Sequence, residues 1–289
     1  MFCPYCSSNN LNNLSDKYLS CSNCGCDFPL FSPVSGVVTN QYPDPPSKAT
    51  SLLSLDKIRV SNLKGSRSRQ IIDIGCGNGE FLFSAINSGI ANQYSYGIEI
   101  DHESVKAAEK DGLLILKKLK EINDGALITF WHSIEHMKVE KLKEILEDIS
   151  QKCIGKKVDI IISTPNAGAG LWEKHSFNYC YFDPQNHMLQ YSWSAIEGLV
   201  NSYRFYIVKK MFMPTYSIFG IIQTLMNINL KERNILYENL KRSKSNKKLI
   251  ILFKSIFSFL SSLKHLPNAI TYELKKNKAS VITFHCKNY

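Results

Sequence analysis

Apolar residues follow two alternating rhythms along this chain. Short runs of strand character at 71–74, 94–99, 113–116, 124–132 and 158–163 are separated by stretches with an apolar residue every third or fourth position. The first kind suits strands buried on both faces, and the second suits helices that cover them. Helices are expected over 80–87 and 102–110, and through Leu142, Ile145, Leu146 and Ile149. This alternation predicts a largely parallel sheet with helices on both sides. A further helix over 192–202, a sixth strand over 203–208 and a seventh over 279–286 would complete it. Between the fifth strand and that helix runs a long loop, 167–190, rich in aromatics and histidines. Loops of this length inside a compact domain usually carry function. Ahead of the first strand, Ser47 would cap a helix through Leu52, Leu53, Leu55, Ile58 and Leu63.

The first strand runs into Asp73-Ile74-Gly75-Cys76-Gly77-Asn78-Gly79, and an apolar helical pattern begins at Phe81. A strand that turns sharply into a helix here places a ligand site beyond the strand's carboxyl end, where glycine lets the backbone come close. The spacing is not the Gly-x-Gly-x-x-Gly of dinucleotide sites. A carboxylate two residues ahead of the first glycine suits a ligand bearing an amino group and repels a pyrophosphate. Glu99 ends the second strand, where an acidic side chain commonly holds ribose hydroxyls. Cys76 lies inside the loop with no base nearby in sequence, so it is read as a small residue rather than a nucleophile.

Asp73-x-Gly75-x-Gly77-x-Gly79 resembles motif I of the class I S-adenosylmethionine-dependent methyltransferases. The resemblance covers about 70–208, with 279–286 as the closing strand, and implies a Rossmann-like seven-stranded α/β fold. It implies that Asp73, Gly75, Cys76, Gly77 and Gly79 cradle the methionine part of S-adenosylmethionine. Glu99 would hold the ribose, Ile100 would flank the adenine, and Trp131, His132 and Ser133 would line the methyl-donor side. Trp131-His132-Ser133-Ile134-Glu135-His136 is similar to the segment after strand four in the ubiquinone-type O-methyltransferases, where a Glu-His pair opens the next helix. That makes Glu135-His136 architectural and His132 a candidate general base. His187, in a stretch resembling the acceptor-side turn, is the other candidate. Each histidine has a structural reading of equal weight.

Nine cysteines change the picture at the amino terminus. Cys3-x-x-Cys6 and Cys21-x-x-Cys24 are two knuckles fourteen residues apart, the spacing of a zinc ribbon over 1–31. Cys26 is a spare thiol and a substitute ligand. No secretion signal is expected at the amino terminus, and clustered cysteines in a cytoplasmic setting favour metal over disulfides. A Pro- and Ser-rich linker, 32–47, joins the ribbon to a domain formed by 48–212 and 270–289. Lys17 is the one basic residue before Lys48, which argues for a structural or substrate-gating ribbon over a nucleic-acid reader.

Charge is uneven as well. The chain carries +10, while 209–278 alone holds fourteen Lys and Arg against three Glu, a local +11. Most of that lies in an insertion, 213–269, which separates the last two strands and has no counterpart in either resemblance. Its apolar stretches flank a basic run, 241–248. They either pack on the domain or lie peripherally on an anionic membrane surface at the cytoplasmic face. A ribbon ahead of this domain is similar to bacterial methyltransferases of sugar and polysaccharide pathways, and to one class of ribosomal RNA methyltransferases. The first reading is O-methylation of a sugar, polysaccharide or lipid-linked small-molecule acceptor. A ribosomal RNA methyltransferase and a non-catalytic zinc-dependent adaptor are the alternatives. Against RNA stands Trp131-His132-Ser133-Ile134, where a base-clamping Asn-Pro-Pro-Tyr-like motif would lie.

Overall fold

The computed structural model describes residues 1–15, 17–30, 59–60, 63, 68–175, 178–181, 183, 186–211, 214–230, 266–275 and 278–289. The linker, most of the expected helix before the first strand, and the basic run 241–248 lie outside the described residues.

β-Branched and aromatic residues build the central strands. β4 (Ile71–Ile74) and β7 (Leu127–Trp131) are buried along their whole length, and β8 (Asp159–Pro165) is buried beyond its first residue. With β5 (Tyr96–Ile98), β6 (Ile115–Leu116), β9 (Phe205–Met211) and β10 (Val281–Asn288) they form one sheet in the order β6-β5-β4-β7-β8-β10-β9. The five strands from β4 to β8 pair in parallel, and β10 runs antiparallel between β8 and β9. Side chains alternate across the sheet. Ile72, Ile74, Ile128, Phe130, Ile160 and Ile162 pack on one face, while Ile71, Leu127 and Ile161 pack on the other.

Helices cover both faces. α1 (Glu80–Asn87) buries Phe81, Leu82 and Ala85, and α3 (Val139–Lys152) buries Val139, Leu142, Leu146 and Ile149. Between them α2 (His102–Lys110) starts where the Asp101 carboxylate accepts from the Ser104 amide at 2.9 Å. Such a cap satisfies one of the amides a helix start leaves open. The loop 167–190 holds a short helix not expected from the sequence, α4 (Gly170–His175). α5 (Trp193–Ser202) follows it, capped by Ser192. The last two strands run further than expected, to Met211 and Asn288, because the hydrogen-bonded pairing of β9 with β10 continues past the apolar residues.

α6 (Pro214–Leu230) opens the insertion and α7 (Leu266–Leu274) closes it. Ile221 and Leu225 of α6 join Ala269 of α7, Leu171 and Trp172 of α4, Tyr179 and Tyr18 in one buried cluster. The polar residues of α6 are buried too. Thr224 Oγ1 accepts from the Cys180 amide at 3.1 Å, and Asn227 Nδ2 donates to the Asn178 carbonyl at 2.9 Å. This stretch of α6 is therefore a core helix. Among the described residues no helix is long and apolar enough to cross a membrane.

The amino terminus forms a separate antiparallel sheet of β1 (Leu11–Asn13), β2 (Tyr18–Cys21) and β3 (Asp27–Pro29). Its Cys3, Leu19, Cys21, Cys26 and Phe28 are continuous with the main core. A module this small has little interior of its own, and it borrows the domain's.

At the amino ends of the parallel strands, Asp159 joins three elements. Arg69 Nη1 lies 2.6 Å from Asp159 Oδ2, and His285 Nε2 lies 2.8 Å from Oδ1. His285 looks like an unassigned strand residue in the sequence. Burial would raise the Asp159 carboxyl, but His285 and Arg69 override it and hold the group below its ordinary value. A carboxylate so depressed stabilises the fold above about pH 4, and that contribution is lost as pH falls through the folded value. Asp159→Asn should therefore cost about 1–3 kcal/mol in urea unfolding at about pH 6. The gap from wild type should shrink at about pH 3, and a gap that is the same at both pH values would refute the ion-pair account.

Candidate active site

The turn after β4 is held by its neighbours on both sides. Gly75 and Cys76 amides donate to the Ile98 carbonyl of β5 at 2.8 and 3.2 Å. The Gly77 amide donates to Glu99 Oε2 at 2.8 Å, while Glu99 Oε1 accepts from the Ile100 and Asp101 amides at 2.7 and 2.9 Å. Glu99 thus staples the turn to the end of β5, a role the sequence did not reveal. A carboxylate has about four acceptor sites, so this leaves capacity for a hydroxyl. Ile100, expected to flank an adenine, is 74% exposed.

Two glycines are required by contact. At Gly75, with φ +73°, an added Cβ would lie 2.4 Å from the Ser133 Cβ. At Gly97 in β5 it would lie 2.4 Å from the Cys76 Sγ. The Cys76 side chain fills the space that Gly97 vacates. Burial pushes its thiol well up, with Asp73 and Glu99 adding to the effect, so it is no thiolate nucleophile. Asp73 is buried, and its Oδ1 accepts from Thr129 Oγ1 of β7 at 2.7 Å.

The turn also abuts the end of β7. Trp131 packs edge-on against Phe81 of α1 at 5.3 Å, under the Arg59 guanidinium at 4.9 Å. Trp131 Nε1 and Ser133 Oγ are buried without a hydrogen-bond partner among the described residues. Buried donors left so are costly, by about 1–3 kcal/mol, unless a ligand completes them. Positive-φ glycines and two open donors beside them fit a bound cofactor with polar groups.

His132 has φ +51°, a left-handed conformation uncommon outside glycine. Its Nδ1 lies 3.3 Å from Glu135 Oε1, and its ring stacks on Tyr181 at 5.9 Å. Glu135 is 1% exposed and is the middle residue of the short 3₁₀ turn Ile134–His136. Its other oxygen accepts from Thr164 Oγ1 at 3.0 Å. Burial alone would raise this carboxyl, but the His132 imidazole at 3.3 Å, with His136 and His187 beyond it, brings it down to about 2. From the sequence, Glu135 is expected to be architectural only. Its spacing of three from His132 was the available signal.

His187 is brought to the same place by the loop. Met188 donates its amide to the Glu135 carbonyl at 2.8 Å, and the His187 ring meets His136 edge-on at 4.8 Å. Burial and the neighbouring His136 hold the His187 imidazole down at about 4, so it is neutral near pH 7. Ligand atoms of Glu135, His136 and His187 lie within 4.8 Å of one another. The structure thus gathers both candidate histidines around Glu135.

At the other wall, the sulfurs of Cys3, Cys6, Cys21 and Cys24 converge within 4.8 Å. Cys3–Cys24 and Cys6–Cys21 sulfurs are 3.6 and 3.5 Å apart. Tetrahedral Zn–S bonds of about 2.3 Å place sulfurs about 3.8 Å apart, so the set fits one ion. Cys26 is fully buried and stands outside this group of four.

The methyltransferase-domain family matches residues 48–210, more than half of the chain. The chain belongs to this family. It is a mixed α/β enzyme that transfers methyl groups from S-adenosylmethionine. No curated protein sequence matches it. Solved structures similar to this methyltransferase include a SAM-dependent methyltransferase from Archaeoglobus fulgidus, 19% identical, covering 81% of this chain and 94% of the other, with a TM-score of 0.47. The cyclopropane synthase MmaA2 from Mycobacterium tuberculosis is 10% identical over 81% of this chain and 82% of its own, with a TM-score of 0.49. Magnesium protoporphyrin IX methyltransferase from Synechocystis PCC 6803, with bound SAH, is 15% identical over 54% and 74%, with a TM-score of 0.42.

Gly97→Ala places a methyl 2.4 Å from the Cys76 Sγ and 2.9 Å from the end of the Ile115 side chain. It should weaken S-adenosylhomocysteine binding about 10- to 100-fold in calorimetry, and Gly97→Ala/Cys76→Ala together should restore most of it. An unchanged affinity in the single variant would show that the turn tolerates displacement.

Proposed function

We propose that this methyltransferase O-methylates a sugar, polysaccharide or lipid-linked small-molecule acceptor, with His132 as general base and Glu135 as its partner. The observation that carries the reading is the His132–Glu135 pair, one residue from the Ser133 that abuts the cofactor turn. Bound S-adenosylmethionine supplies an electrophilic methyl, which a hydroxyl oxygen takes by in-line displacement. The protein's part is to hold donor and acceptor in line and to receive the hydroxyl proton. With Nδ1 turned to the Glu135 carboxylate, His132 Nε2 is the atom to take that proton, and the carboxylate stabilises the imidazolium formed. His187, neutral and buried, would orient the acceptor by hydrogen bonding rather than carry a charge.

The cofactor's contacts follow the same logic. Asp73, Gly75, Cys76, Gly77 and Gly79 would line its methionine part, Glu99 and Ile100 its nucleoside, and Trp131 and Ser133 the donor side. The four convergent thiolates would hold a structural zinc ion, completing a ribbon over 1–31. A membrane-facing role falls to the basic part of the insertion, since the described part of α6 faces the core. RNA is the second class of acceptor, and the near-neutral ribbon disfavours it.

Two measurements decide the reading. Labelled methyl from S-adenosylmethionine, incubated with a cell extract and separated by class, should appear in the glycan or lipid fraction, with Asp73→Ala as the blank. Label in RNA would overturn the acceptor assignment. On the labelled acceptor, His132→Ala should lower kcat about 10²- to 10⁴-fold with S-adenosylhomocysteine affinity unchanged. Retention of full kcat would remove His132 from the chemistry.

A further inference from the structure

The thiol-bearing module is built into the acceptor side of the protein. Asp27 of β3 and Gln190 exchange both backbone hydrogen bonds, at 3.0 and 2.8 Å. The Asp27 side chain, 3% exposed, accepts from Trp172 Nε1 of α4 at 2.9 Å. Ser192 Oγ donates to the Cys24 carbonyl at 2.5 Å while capping α5. The Tyr5 hydroxyl donates to the Ala195 carbonyl at 2.7 Å, and its ring meets Tyr191 edge-on. Segment 186–192 is thereby fastened along one side to the ribbon.

Its other side is fastened to the catalytic turn. Met188 and Leu189 amides donate to the Glu135 carbonyl at 2.8 and 3.4 Å, and His187 packs on His136. One short segment therefore separates the thiols from the His132–Glu135 pair. The cofactor turn is fixed differently. Its described hydrogen bonds to other elements run to Ile98 and Glu99 at the end of β5, and its close contacts run to Ser133, Gly97 and Leu113.

We infer that the ribbon is a positioning device for the acceptor half of the site, with Asp27 as the positioning residue, its main chain on Gln190 of segment 186–192 and its side chain on Trp172 of α4. An ion held by Cys3, Cys6, Cys21 and Cys24 fixes the rails on which His187 and the Glu135 turn are aligned, and adds nothing to cofactor affinity. This rests on the metal reading above. It predicts a protein whose donor site survives loss of the ion while its acceptor site loosens, which distinguishes it from a ribbon that reads a partner or merely stabilises the whole chain.

Hydrogen exchange on the full chain tests this without an acceptor. Zinc content is measured first, and exchange is followed before and after chelation, and in Asp27→Ala and Asp27→Asn. Asn keeps an oxygen to accept from Trp172, and Ala does not. Chelation should speed exchange of 186–192 about tenfold or more, and Asp27→Ala should do so for 170–175, which its side chain holds through Trp172, while 71–79 and Asp27→Asn stay near the untreated protein. Calorimetric affinity for S-adenosylhomocysteine should stay within about twofold throughout. Faster exchange confined to 1–30 would overturn the proposal, as would loss of cofactor binding together with exchange everywhere. A chain that holds no zinc would overturn it at the first step. Label entering RNA would fail the acceptor reading alone and leave these exchange results standing.

Discussion

Close approach of the β4 turn to two neighbouring strands is the constraint on which the rest depends. Gly97 gives Cys76 room on one side, and Gly75 comes against Ser133 on the other. An added methyl at Gly75 would meet the Ser133 Cβ, which moves only with its backbone, and one at Gly97 would displace the Cys76 side chain. Glu99 then pins the Gly77 amide, so the turn is fixed before any ligand arrives. The Gly75, Cys76 and Gly77 amides are spent on Ile98 and Glu99, so they hold the shape of the turn rather than face a ligand. The same packing sets the distance between the turn and the end of β7. Donor and acceptor halves thus share one mechanical reference, Ser133, with His132 immediately before it.

Buried carboxylates around that reference are each answered. Asp73 is bonded across the sheet by Thr129, and Glu135 is bracketed by His132 and Thr164. An unanswered buried charge would cost several kcal/mol and would neutralise itself by taking up a proton. Glu135 does the reverse, because the imidazole beside it outweighs burial. A carboxylate held ionised against an imidazole is a stable arrangement for accepting a proton at the ring's far nitrogen. The ion pair at the opposite end of the sheet, Arg69–Asp159–His285, obeys the same rule for a structural purpose.

Most of the fold was legible because its signals are local. Ile71–Ile74 buried on both faces, the helical spacing of Val139 to Ile149, and Ser192 ahead of α5 can each be read within a dozen residues. The two cysteine knuckles and the glycine turn are local as well. What was not legible depends on residues far apart in sequence. Nothing near His285 announces Asp159, and nothing near Asp27 announces Trp172 or Gln190. β1, made of Leu11, Asn12 and Asn13, carries no apolar alternation, and it forms because β2 offers an edge. α4 lies in a loop too aromatic to show a helical period. For the site, the positions of His132 and His187 were readable, but their convergence on Glu135 required the loop's return path.

The distribution of unsatisfied polar atoms argues against a scaffold that has lost its chemistry. Trp131 Nε1, Ser133 Oγ, His187 Nδ1, Gln190 Oε1 and the Tyr191 hydroxyl are buried without hydrogen-bond partners among the described residues. These five belong to the end of β7 or to the segment that returns to it, while Arg69 Nε, at the opposite end of the sheet, is a further atom of this kind. His132 adds a left-handed backbone, at a cost of about 1–3 kcal/mol. A protein used only for its shape gains nothing from these costs, and substitution by apolar residues or glycine would remove them. Concentrated where the cofactor turn, the histidines and the ribbon wall meet, they are the marks of groups held ready for a donor and an acceptor.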